Sequence, residues 1–265
     1  MRKLLTRAIA AALLLAVFSV YGDTSNLVFY ADFQNSEDGQ VIATAADLNG
    51  STVAPASLYD QIGSWSAGPI NKNASQFTAG APSVSGDIPM AATIGFAKNG
   101  GFIAGTLSAA SPFSKGAEAT RVSFNFKLRG NGTKGFSHTI YGYDEGNTEI
   151  FKIVVVGGAS TPLPATTVTV NGTTIGLSGR ESTPINSISL VLDSNGIEVT
   201  LFNGGTSVST TVKGIPVLGA SKLISFKIQL QPTGAPCVFD YDSFEVWSIL
   251  RAPPPPSLNL ILLTP

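Results

Sequence analysis

The sequence predicts an all-β chain folded as a two-sheet antiparallel sandwich. Three observations predict it. Short apolar runs alternate with polar residues at period two, the spacing of a strand with one buried face. Turn signals built on Asn, Asp and Gly recur at intervals of roughly eight to twelve residues, as in sandwiches and barrels. No stretch after the N-terminal segment carries a helical repeat of apolar residues.

The bulk properties fit one large domain. The chain has 265 residues, 43% of them hydrophobic, with 28 Gly and 16 Pro. All-β units commonly reach roughly 200–250 residues as one body. Charge is sparse at 12%, and the net charge is −1. That excludes the basic stripe wanted by nucleic acid and the polybasic patch wanted by anionic membranes.

Residues 1–22 read as a secretory signal. Arg2, Lys3 and Arg7 precede an uncharged Leu/Ala-rich run over 8–20, which is short for a membrane span of about 20 apolar residues. The sandwich is expected over 23–250. Residues 251–265 form a tail that opens with Pro253, Pro254, Pro255 and Pro256, a stiff extended linker. The mature chain is therefore expected outside the cell or in the envelope, with no membrane span once the signal is cut.

The strands follow in order. Residues 27–33 (Leu-Val-Phe-Tyr-Ala-Asp-Phe) open the domain. The stretch 34–101, rich in Gly, Ala, Ser, Asn and Pro, holds short candidates at 40–43, 76–78 and 91–96, with Tyr59 and Trp65 in a loop-like context. The clearest alternation comes at 121–129, where Val122, Phe124, Phe126 and Leu128 share one face and Arg121, Ser123, Asn125, Lys127 and Arg129 the other. Residues 137–143 and 149–156 flank Asp144-Glu145-Gly146-Asn147 as a hairpin. Residues 168–170 and 173–177 flank Asn171-Gly172, a two-residue turn of type I′. Residues 188–193 and 197–202 flank Ser194-Asn195-Gly196, and Asn203-Gly204-Gly205 leads into 206–212. The last strands are 223–230 and 238–249, giving about twelve to fourteen in all. The closing strand carries bulky apolar groups on both faces, which places it centrally in a sheet. Because domain ends often lie together, the first strand is expected beside it.

These two ends, an apolar-aromatic opening strand and an Asp-containing closing strand ending in Val246 and Trp247, resemble concanavalin A-like jelly-roll domains of the laminin-G type. The segment 188–205, a strand, a short polar turn, a second strand and an Asn-Gly corner, is similar to the meander of that family, although the Trp-His often found before it is missing. The resemblance implies a two-sheet antiparallel jelly-roll sandwich.

Chemistry is thinly represented. One His (His138) and one Cys (Cys237) cannot supply the several ligands of a zinc site. His138 has no nucleophile motif beside it, and Cys237 reads as a small apolar residue. Glycosidases need two carboxylates; Asp240, Asp242 and Glu245 qualify by number, as do Asp144, Glu145 and Glu149. The jelly-roll glucanases carry Glu-x-Asp-x-x-Glu on a strand, and here Asp240 stands where the first Glu would be. A structural calcium is the ion to expect, held by oxygens of Asp32 and Asp240 if the end strands pair. No catalytic residue is assigned.

The expected function is a secreted non-catalytic module that binds a polysaccharide or cell-surface glycan. A polysaccharide-degrading hydrolase or lyase, and a structural spacer of the envelope, are the alternatives. The platform for a sugar would be Trp65, Tyr59, Tyr141 and Tyr143, since rings stack on sugar C–H faces, with Asp144 and Asn147 as acceptors for hydroxyl protons.

Overall fold

The computed structural model describes residues 23–31, 40–42, 62–67, 77–80, 91–94, 101–130, 136–157, 167–176, 186–203, 207–231 and 237–252. Sixteen strands lie among them. The first six are β1 (Thr24–Ala31), β2 (Gln40–Ile42), β3 (Ser64–Ala67), β4 (Phe77–Gly80), β5 (Ala91–Ile94) and β6 (Gly101–Pro112). Then come β7 (Glu118–Gly130), β8 (Phe136–Tyr143), β9 (Glu149–Gly157), β10 (Thr167–Val170) and β11 (Thr173–Thr174). The last are β12 (Asn186–Asp193), β13 (Gly196–Asn203), β14 (Val208–Ile215), β15 (Lys222–Gln231) and β16 (Cys237–Leu250). Residues 1–22 and 253–265 lie outside the described residues, as do Asp32 and Tyr59.

The expected two-sheet antiparallel jelly-roll sandwich is the observed architecture. One sheet runs β14-β13-β12-β7-β16-β5-β4-β2, with β1 also on β16; the other runs β11-β10-β9-β8-β15-β6-β3. The first and last strands pair as expected, from Thr24 opposite Leu250 to Ala31 opposite Phe244. β16 is central: β7 covers one edge along its whole length, while β5 and β1 share the other.

A bulge explains why both faces of the closing strand look apolar in sequence. Between Asp242 and Glu245 the register with β7 shifts by one residue. Ser243 takes a left-handed backbone there (φ 52°), as a bulge residue does. Before the bulge, Tyr241 lies opposite Phe126; after it, Val246 lies opposite Val122. The positions facing the core residues of β7 therefore change from odd to even, and no single alternation fits the strand.

The sheets close on a column of phenylalanines. Phe226, on β15 of the seven-stranded sheet, meets Phe29 edge-on (ring centroids 4.8 Å apart) and stacks on Phe244 (5.5 Å), both from the nine-stranded sheet. Phe244 stacks in turn on Phe124 at 5.0 Å. All four rings are buried. Around them pack alternate residues of the strands: Ile188, Leu190 and Leu192 of β12, Ile197, Val199 and Leu201 of β13, and Phe151, Ile153 and Val155 of β9.

Two strands were not expected from the sequence. β3 contains Trp65, read there as a loop residue, and β6 is a twelve-residue strand of mostly small residues. One of those is dictated by the column. A Cβ on Gly105 would sit 2.4 Å from Cζ of Phe226 and 3.0 Å from Cε2 of Phe29. The missing side chain makes the slot in which the central ring lies, and the low strand propensity of glycine hides the strand.

The hairpins form as their turn residues require. Val170 lies opposite Thr173, leaving Asn171 and Gly172 as the loop, both at positive φ (46° and 82°), the signature of type I′. The Asn171 amide adds a tertiary role. Its Oδ1 accepts from the Lys152 amide at 2.7 Å, and its Nδ2 donates to the Pro216 carbonyl at 2.7 Å.

Candidate functional site

The outward face of the seven-stranded sheet carries a cluster that the alternation of three strands builds. On β8, Ile140 is buried, and Tyr141 and Tyr143 take the alternate, half-exposed positions. On β9, Phe151 and Ile153 point inward and Lys152 outward; on β15, Phe226 and Ile228 point inward and Lys227 outward. Register does the rest. Lys227 lies opposite Tyr141, and Tyr141 lies opposite Lys152, so the row reads Lys-Tyr-Lys across three neighbouring strands.

The rings of Tyr141 and Tyr143 stack, with centroids 5.9 Å apart and planes 24° from parallel. The Lys227 ammonium lies over Tyr141 at 4.9 Å, over Tyr143 at 5.4 Å and over Phe102 of β6 at 5.6 Å. The Lys152 ammonium lies over Tyr141 at 5.6 Å. These distances are within the roughly 6 Å range of cation–π attraction. Among the described residues, neither ammonium has a carboxylate within 4 Å. Glu149, opposite Tyr143 at the hairpin end, is an acidic residue bordering the platform.

The other sequence-derived site residues fall in several places. Asp144 organises the hairpin: its Oδ1 accepts from the amides of Gly146 (2.8 Å) and Thr148 (2.7 Å). Asn147 holds a left-handed backbone (φ 58°), and its amide donates to the Asp144 carbonyl. Both border the tyrosine pair at the turn. Trp65 lies opposite Gly105, which in turn lies opposite Phe226. That row of positions alternates with the rows of Tyr141 and Tyr143, so Trp65 does not share their register. Tyr59 lies outside the described residues. So does Asp32, while Asp240 lies opposite Lys127 and Thr93 in the backbone register. Among the described residues, no group of three or more His, Cys, Asp or Glu gathers as a metal site.

The carboxylates of the turn are engaged: Glu145 pairs with Lys222 at 2.7 Å. Glu245 of β16 accepts from Trp247 Nε1 at 2.8 Å, and Arg121 lies over the Trp247 ring at 5.4 Å. Glu245 borders a shallow depression of about 230 Å³ on the outward face of the nine-stranded sheet, lined by Ser123, Asn125, Ser189, Thr200 and Phe202. His138 is buried on β8, and burial lowers its pKa from 6.5 to about 3. It is therefore neutral at pH 7.

The two lysines were not singled out from sequence. A signal was present: Lys227 occupies a polar position in an alternating strand, and Lys152 is the one charge within the apolar run 150–156. What the sequence withholds is that β8 runs between β9 and β15 and so brings both to one tyrosine.

No family model matches the chain, and no curated protein matches it. Solved structures similar to it include the carbohydrate esterase vb_24B_21 from Shiga toxin-encoding bacteriophage phi24B, at 11% identity and a TM-score of 0.48, covering 86% of this chain and 100% of that one. Arcelin-5, a lectin-like defense protein from Phaseolus vulgaris, is similar at 12% identity and a TM-score of 0.44, covering 86% and 99%. Basic winged bean lectin with Tn-antigen is similar at 13% identity and 0.42, again covering 86% and 99%. At such identities the likeness is one of overall architecture.

Proposed function

We propose that the chain is an exported, non-catalytic β-sandwich module that binds carbohydrate on the outward face of its seven-stranded sheet. The observation that carries this reading is the stacked pair Tyr141 and Tyr143, held half-exposed on a sheet face while the phenylalanines nearby are buried. A flat apolar ring edged by polar groups suits the C–H face of a pyranose, with hydroxyls reaching the flanking side chains. Asp144 fixes the hairpin that follows Tyr143 and so fixes one end of the platform. Export rests on the basic and apolar character of residues 1–22.

Polysaccharide binding by the mature domain, measured by affinity electrophoresis and calorimetry, tests the reading. The Tyr141→Ala variant is expected to lose about 1–2 kcal/mol of binding, roughly tenfold or more in affinity, as removal of an aromatic anchor does. Its thermal unfolding should stay near that of the parent, because the ring is not part of the core. Failure of the parent domain to bind any of a panel of neutral and acidic plant, algal and bacterial glycans would sink the proposal.

A further inference from the structure

We infer that the tyrosine platform selects acidic polysaccharides, those whose sugars carry carboxylate or sulfate groups. The inference rests on the glycan-binding reading above and adds the ligand's charge. Its basis is the Lys227-Tyr141-Lys152 row, in which cross-strand register puts a lysine on each strand neighbouring one tyrosine.

Both ammonium nitrogens lie within 6 Å of the centre of the Tyr141 ring. A carboxylate or sulfate group brought to that ring would meet both cations. The cations are free of carboxylate partners within 4 Å among the described residues, unlike Lys213 and Lys222, which pair with Glu198 and Glu145. The difference matters for binding. A lysine already neutralised by an acid must break that pair before it meets a ligand anion, whereas Lys152 and Lys227 are opposed, among the described residues, by ring faces. Those rings hold each ammonium at the platform without cancelling its charge, which is the preorganisation that lowers the cost of binding.

The neighbouring positions agree. Gln229 lies in the adjacent row and Ser225 lies opposite Tyr143, both half-buried. These are neutral groups that can bond to sugar hydroxyls and do not repel an anion. Asp144 and Glu149, at the turn end, are the exceptions and mark the border at which negative charge on the ligand is disfavoured. The net charge of the whole chain is −1, so attraction of a polyanion here is a local property and not that of a basic protein.

The experiment compares one backbone in two charge states. The affinity of the mature domain for polygalacturonate is measured against that for its methyl ester, with dextran sulfate as the sulfate arm. Binding to polygalacturonate or dextran sulfate is expected to exceed binding to the ester at least tenfold, and the preferred arm identifies the anion. Lys152→Gln and Lys227→Gln should each weaken polyanion binding about tenfold, the loss of one charged contact, and flatten its decline with added salt. Lys115→Gln, on the exposed β6–β7 connection, should leave it unchanged. Equal affinity for the acid and its ester, or equal loss in the Lys115 control, overturns the inference. If the ester still binds and Tyr141→Ala still abolishes that binding, the glycan reading survives alone; if no polymer binds, both fail.

Discussion

Replacing Phe226 by alanine is expected to lower the free energy of unfolding by about 3–5 kcal/mol, the cost of deleting a core phenylalanine. Phe226 is the ring through which the sheets meet. It touches Phe29 and Phe244 from the opposite layer, and its slot is cut by Gly105 of the neighbouring strand. Neighbours cannot collapse into the space without moving one sheet against the other. Gly105→Ala is expected to be severely destabilising as well, because its methyl group would strike the same ring. The two effects should not add: once Phe226 is alanine, the methyl of residue 105 has lost its main obstacle. Denaturant unfolding of both single variants and the double variant measures the coupling. A loss below about 1 kcal/mol for Phe226→Ala, set against the range for such deletions, would mean that the column is not the seam of the sandwich.

Acid should weaken the fold through His138. Burial lowers its folded-state pKa to about 3, while the unfolded chain regains the ordinary value near 6.5. Above pH 6.5 both states are neutral at this residue and nothing changes. Between 6.5 and 3 the unfolded state binds a proton that the folded state refuses, so stability falls by about 1.4 kcal/mol per pH unit at most. At pH 4.5 this amounts to somewhat under 3 kcal/mol from one side chain. His138→Leu removes the titration. Its stability should therefore decline less steeply than that of the parent from pH 6.5 to 4.5, whatever its value at pH 8. Parallel slopes for the two proteins would show that His138 does not carry the acid sensitivity.

Much of the fold can be read in the sequence because its strands obey the period-two rule over long stretches. β12 and β13 alternate buried and half-buried residues almost without interruption, and Asn171-Gly172 closes its hairpin as those two residue types demand. The reading breaks where one layer is shaped by the other. β6 carries a glycine at 105 because a phenylalanine from β15 and another from β1 need the room there, and no local pattern announces that need. The closing strand looked two-faced because one serine with a left-handed backbone shifts its parity. The site shows the same division. Tyr141 and Tyr143, two residues apart on one strand, were visible as a pair. Lys152 and Lys227 were not, since their meeting depends on strand order across the sheet. Trp65, also named from sequence, lies in backbone register on the row of Phe226 and not on those of Tyr141 and Tyr143.

The pairing of the first and last strands has a mechanical consequence. Thr24 lies opposite Leu250, and just beyond them the Asp23 carboxylate accepts from the Ala252 amide at 2.9 Å. Tension applied to both ends of such a pair acts across the strands rather than along them. The rungs of the β1–β16 ladder would then break singly from the outside inward, like a zip fastener, and not all together in shear. A module tethered at both ends would open at low force from this corner, and the column of rings behind Phe29 would give way last.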